Sequence, residues 1–131
     1  MSQQAQSTNQ ADVEAINKVR EAHIAALNDG DVDAWVAAFA DDGVQMPPNA
    51  PANLGSESIR AWSQALLAPF RVAFTLVVDE VRVAGDWAFE RGTYQINLTP
   101  KAGGEPMQDL GKYITIYERQ PGGAWGMARD I

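Results

Sequence analysis

The chain has 131 residues, 46% of them hydrophobic, and a formal net charge of -7. That length supports one domain with a sizeable core, and the scattered Lys and Arg leave no basic stripe for nucleic acid or an anionic membrane surface. Cysteine is absent and His23 is the single histidine, which excludes disulfides, thiolate nucleophiles and Cys-based or multi-histidine metal sites; no metal or other cofactor is expected. No apolar run approaches the ~20 residues that span a bilayer, and the polar first residues lack the pattern of a signal peptide, so a cytoplasmic protein is expected.

In chain order, the Ser/Gln/Asn-rich residues 1–10 read as a disordered tail, because they offer little apolar area to bury. The domain is expected over 11–131. Val13, Ile16, Val19, Arg20, His23, Ile24 and Leu27 recur at helical spacing up to Asn28, with Ile16, Val19, His23 and Leu27 on the buried side, which points His23 inward. Gly30 supplies the left-handed position that stops this helix. Asp31 is placed to cap a second, with Val32, Trp35, Val36 and Phe39 on its apolar face and Asp41, Asp42 and Gly43 at its end. Val44 to Met46 reads as a short strand, and Pro47 to Pro51 as an extended loop. Ser56 is expected to cap a third helix, with Ile59, Trp62, Leu66 and Leu67 on one side, that stops before Pro69.

Beyond Pro69 the period changes from 3.6 to 2, giving a meander: Phe70 to Val83, Trp87 to Thr99, Gln108 to Arg119 and Ala124 to Ile131, joined by short turns. Three helices ahead of a mostly antiparallel sheet predict an α+β domain with helices packed on one face.

This order resembles the NTF2-like superfamily. The resemblance rests on Ala25 to Ala34, Phe39 to Gly43, Val81 to Ala88, Arg91 to Tyr94, Gly111 to Tyr113 and Ala128 to Ile131. Within that superfamily the chain is similar to the SnoaL-like and ketosteroid-isomerase-like branch, particularly its DUF4440 members. The resemblance implies a cone-shaped fold in which helices close one end of a curved sheet around a small-molecule pocket, and a homodimer paired through the outer sheet face. The ketosteroid isomerases serve as a standard example of tuned carboxyl pKa values. Against their pattern, His23 falls at the tyrosine position, Pro47 at the base and Gly111 at the protonated aspartate. Pro47 accepts no proton and Gly111 has no side chain to donate one, so the steroid isomerase mechanism is not expected.

Strand alternation taken with that alignment puts Trp87, Phe89, Arg91, Thr93 and Gln95 on one face. Gly111, Tyr113 and Thr115 match them on the next strand, and Ala128 and Asp130 on the last. The expected pocket combines these with His23, Met46 and Trp62. His23 and Asp130 are the candidate catalytic residues: a carboxylate beside an imidazole would orient it and favour its charged form near neutral pH. The resemblance to SnoaL-type cyclases implies an acid–base aspartate near the end of the sheet, for which Asp130 is the match. Arg91 would hold an anion or oxyanion, with Tyr113, Trp62, Met46, Thr93 and Trp87 as the remaining substrate-binding candidates. A looser likeness to limonene-epoxide-hydrolase relatives would use Arg91, Asp109 and Asp130.

The function expected is cofactor-free acid–base catalysis, of isomerase, cyclase or hydrolase type, on an apolar or aromatic oxygenated small molecule. Two alternatives stand beside it. One is a non-catalytic ligand-binding module in which the same groups merely satisfy one another around a bound metabolite; Arg91 and Asp130 could also neutralise each other as a purely structural pair. The other is a homodimeric association domain.

Overall fold

The computed structural model describes the backbone of residues 2–131 and the side-chain surroundings of residues 9–131. The elements are α1 (Ser2–Asp29), α2 (Val32–Ala37), β1 (Phe39–Gln45), β2 (Asn53–Leu54), α3 (Gly55–Leu67), β3 (Phe70–Ala84), β4 (Trp87–Pro100), β5 (Met107–Arg119) and β6 (Trp125–Asp130). One curved six-stranded sheet has the order β2-β1-β6-β5-β4-β3. Its β1–β6 pair is parallel and the others are antiparallel.

Helix α1 begins at Ser2, so its backbone is helical through the segment expected to be a tail, and Asn9 and Gln10 are exposed. It stops as expected: Gly30 has φ +70, and the Asp31 carboxylate accepts from the Ala34 backbone N–H to start α2. The second helix is shorter than expected. Asp41, Asp42 and Gly43 belong to β1, where the β1–β6 register shifts between Phe39 and Val44 and Asp41 and Asp42 turn out to solvent. Gly43 is required there, since a Cβ would lie 2.9 Å from the Ala40 carbonyl oxygen and 3.1 Å from that of Met127. The third helix starts at Gly55 with Leu54 at its cap position, and the Ser56 side chain makes no cap.

The stretch of α1 from Asp12 to Asn28 is tied to the sheet at both of its ends. Arg119 on β5 donates to both oxygens of Asp12 at 3.0 and 3.1 Å, Trp125 Nε1 donates to the same carboxylate at 3.3 Å, and the guanidinium lies 4.5 Å over the Trp125 ring. The Arg119 hydrogen bond holds the Asp12 carboxyl below its usual range, against an opposing effect of burial. At the other end, the Asn28 side chain exchanges two hydrogen bonds with the Phe74 backbone on β3, at 2.7 and 3.1 Å. Arg20 and His23 lie between these anchors and are thereby fixed over the sheet. Ile16, Leu27, Trp35, Ile59, Tyr117 and Met127 form the centre of the core, and burying each such side chain stabilises by about 1.5–3 kcal/mol. Among the described residues no helix is long and apolar enough to cross a membrane.

Candidate functional site

A cavity of about 480 Å³ opens between the helices and the inner face of the sheet. Leu27, Trp35, Trp62, Phe74, Ile96 and Leu98 supply apolar wall, and Met46, Pro47 and Pro48 come from the loop after β1. A largely apolar cavity with a few placed polar groups has the make-up of a small-molecule site.

Which residues of β4 face it is decided by the β3–β4 hairpin. A two-residue turn at Gly85-Asp86 pairs Ala84 with Trp87, Val83 with Ala88 and Val81 with Glu90. Paired residues share a face, so Ala88, Glu90, Gly92 and Tyr94 turn inward. This corrects the expectation for five residues, among them Gln95, which alternates with Tyr94 and is exposed on the outer face. Trp87 and Phe89 are 47% and 38% exposed on the outer face. Thr93 is exposed beside them. Arg91 is also outside, where it donates to Glu80 at 2.6 Å. It neither reaches Asp130 nor offers an anion seat in the cavity, and the Arg91, Asp109 and Asp130 set is not assembled. Asp109 instead accepts from Tyr94 Oη at 2.8 Å.

The inward position on β4 is occupied by Glu90, with 0% exposure. It accepts from Arg20 Nε at 3.0 Å, Tyr113 Oη at 2.6 Å and Tyr117 Oη at 3.1 Å. Arg20 also donates to the Asn17 side chain. Burial raises both tyrosine pKa values far above the ordinary range, and the Glu90 carboxylate adds to this, so both phenols keep their protons. A buried carboxylate with three donors, one of them charged, meets the condition under which a buried ion persists.

His23, Met46, Trp62, Tyr113 and Asp130 do line the cavity, but His23 and Asp130 form no hydrogen bond or ion pair. His23 is 5% exposed and sits edge-on to Trp35, Phe39 and Phe74, with ring centroids 5.9, 5.9 and 6.0 Å away. Its Nδ1 has no partner among the described residues. Burial alone pushes its pKa down to about 4, so the ring is neutral near pH 7. The carboxylate partner that would favour an imidazolium is missing, which corrects the expected acid–base pair.

Asp130 has different surroundings. Its Oδ1 accepts from Thr115 Oγ1 at 2.8 Å, while Oδ2 has no hydrogen-bond partner among the described residues. Burial pushes its pKa up to about 6; the Thr115 hydrogen bond opposes the rise and the negative charge of Glu90 adds to it. The β1–β6 register sets Gln45 beside it. Gln45 Oε1 accepts from Asn53 at 3.3 Å, leaving the amide nitrogen free to donate.

The sequence from residue 20 to 125 matches the SnoaL-like domain model. The chain belongs to the SnoaL-like domain family. No functionally curated protein matches it in sequence. A conserved protein from Planctomyces limnophilus is similar in structure, with TM-score 0.85 and 25% identity over 92% of this chain and 94% of the other. A ketosteroid isomerase-like protein from Erwinia carotovora atroseptica gives 0.80 and 26%, over 89% and 91%. An NTF2-like protein with a cystatin-like fold from Novosphingobium aromaticivorans gives 0.80 and 22%, over 96% and 83%; at that identity the likeness concerns the fold alone. Pro47 lines the cavity, and Gly111 lies against the Tyr94 ring, where a Cβ would come within 2.6 Å of Cε1.

Glu90 escaped the sequence reading, and Arg20 was placed on the helical pattern of α1 without a role in the site. The signal that finds Glu90 is the alternation in Val81-Arg82-Val83, which turns Arg82 outward; carried through a two-residue turn it sends Ala88 and Glu90 inward. Arg20 lies three residues before His23 on the same helix, a spacing that stacks side chains on one face.

Proposed function

We propose that this cavity performs cofactor-free acid–base chemistry on a largely apolar, oxygenated small molecule, with Asp130 as the group that moves the proton. The observation that carries the reading is the Asp130 carboxyl itself. One oxygen is held by Thr115, the other is unpartnered, and burial brings the group near neutrality. A proton-transfer group works best when its pKa lies near the operating pH, and about 6 meets that condition where an ordinary aspartate does not. Thr115 fixes the carboxyl plane, Glu90 raises its basicity through space, and neutral His23 contributes wall and a polar edge rather than a charge. Gln45 Nε2, Lys112 and the buried Trp35 Nε1, unpartnered among the described residues, are donors on the lining that could meet negative charge developing on a ligand oxygen. Isomerisation, cyclisation and hydrolysis share such a proton transfer, and the reaction proposed belongs to that group.

The test is deuterium incorporation from heavy water into a panel of aromatic hydroxyketones, followed by mass spectrometry. Wild-type protein should catalyse exchange, and Asp130→Asn should slow it by roughly a hundredfold or more. Exchange that survives the substitution unchanged would remove Asp130 from the role.

A second copy of the chain is proposed as partner for the outer sheet face. There Trp87, Phe89, Val77 and Ile114 are exposed on neighbouring strands, an apolar surface of the kind that marks association. Light scattering that returns a monomer at micromolar concentration would exclude this pairing.

A further inference from the structure

The polar wall around Asp130 has an uneven supply of protons. Thr115 directs its hydroxyl proton at Asp130, and Tyr113 directs its own at Glu90. Both hydroxyl oxygens therefore face the cavity as acceptors only. Asp130 Oδ2 is a third acceptor and is unpartnered. Thr115 and Asp130 are register partners on β5 and β6, and Tyr113 follows on the same face of β5 one alternation away. On the other side of Asp130, Gln45 has its carbonyl oxygen engaged by Asn53 and presents N–H. Of the two cations on this lining, Arg20 is already paired with Glu90 and Lys112 is exposed to solvent.

We propose that Asp130 and Gln45 together form a seat for a hydroxyl group, so that the ligand class is a neutral ring-bearing alcohol or phenol rather than a carboxylate, phosphate or ether. A hydroxyl both donates and accepts, matching Asp130 Oδ2 on one side and Gln45 Nε2 on the other. A carboxylate has no proton for Asp130 and adds a negative charge beside two buried carboxylates. An ether accepts from Gln45 and leaves Asp130 unpaired. An ammonium donates to Asp130 and offers nothing to Gln45. Discrimination by a missing hydrogen bond in a buried site is large, because the partner left behind stays unsatisfied. The apolar body of the ligand would lie against Trp35, Trp62 and Phe74.

This inference rests on the reading that the cavity is the working site, but its test needs no turnover. Binding of 2-naphthol, 2-methoxynaphthalene and 2-naphthoate to the full chain at pH 7.5 is measured by titration calorimetry. The expected order is naphthol about tenfold or more tighter than either of the others. In Asp130→Asn the naphthol advantage over methoxynaphthalene should shrink by about tenfold, with methoxynaphthalene binding unchanged. Equal affinity for all three, naphthoate binding as well as naphthol, or no binding by any of them would overturn the hydroxyl seat. Selective naphthol binding with no deuterium exchange on any hydroxyketone would retain the seat and sink the catalytic role of Asp130. Exchange dependent on Asp130 without selectivity for naphthol would do the reverse.

Discussion

Two adjacent residues of β4 each join a guanidinium to a carboxylate, one on each face of the sheet. Outside, Arg91 meets Glu80 at 2.6 Å; inside, Glu90 meets Arg20 at 3.0 Å. The shorter contact is the weaker one. Arg91 and Glu80 have 53% and 29% of their side-chain surface in solvent, so water screens their attraction and competes for the same groups. Glu90 has no contact with solvent and is satisfied entirely by Arg20, Tyr113 and Tyr117. Removing one partner there strands the others where water does not reach. Distance ranks these pairs in one order and burial in the other, and burial decides the energy.

The largest expected effect is therefore Glu90→Ala. It leaves Arg20 uncompensated and two tyrosine hydroxyls without acceptors, and should cost about 3–5 kcal/mol of stability by chemical denaturation. Next is Gly92→Ala, also on the inner face. Its added methyl would lie 2.0 Å from the Val77 carbonyl oxygen and 3.0 Å from Tyr113 Cε1. Because the nearest obstacle is backbone, relief requires β3 and β4 to part, at a cost of about 1–3 kcal/mol. Denaturation midpoints of the two variants against wild type would show whether the inner face is as unforgiving as the geometry requires.

A smaller effect separates the two titratable groups of the cavity by sign. His23 has its folded-state pKa lowered from 6.5 to about 4. The unfolded chain then binds the extra proton in that window, and stability falls as pH drops through it. Asp130 is raised from 3.8 to about 6, so the folded chain binds the extra proton and stability grows as pH drops through that range. Between pH 6 and 4 the two contributions oppose each other. In Asp130→Asn the histidine acts alone, and stability relative to wild type should decline by roughly 1 kcal/mol per pH unit on acidification from 6 to 4. A mutant with the same pH profile as wild type would contradict these protonation states. The smallest effect belongs to the outer face: Arg91→Ala should change stability by less than about 1 kcal/mol, and a larger loss would erase the contrast between the two faces.

The ordering of helices and strands was legible because each end carries a local signal. Gly30 and Asp31 mark a helix stop and start, Pro69 marks another stop, and Gly85-Asp86 marks a hairpin. The phase of β4 was misread for a physical reason. Trp87 and Phe89 are large and apolar, which argues for burial, yet this sheet keeps them outside and places Glu90 within. An acidic residue in the interior becomes sensible only once Arg20, from a distant helix, and Tyr113 and Tyr117, from the next strand, are known to converge on it. The same holds for His23 and Asp130. Both were traceable to the cavity, His23 from helical spacing and Asp130 from strand alternation taken with the family resemblance. Whether they touch is a matter of how α1 is held against the sheet, where the Asp12–Arg119 and Asn28–Phe74 ties join residues far apart in the chain. The Asp41 to Gly43 segment was misassigned because Asp-Asp-Gly suits a helix end, whereas Gly43 serves a close approach of β1 to Met127.

The most direct test of the central claim is a site-resolved NMR titration of the single histidine and of the Asp130 carboxyl. The account requires a histidine that stays neutral down to about pH 4 and a carboxyl that titrates near 6. A histidine titrating at or above 6.5, together with an Asp130 ionised below pH 4, would reveal an imidazolium–carboxylate pair. That result would contradict the assignment of proton transfer to Asp130 acting without His23.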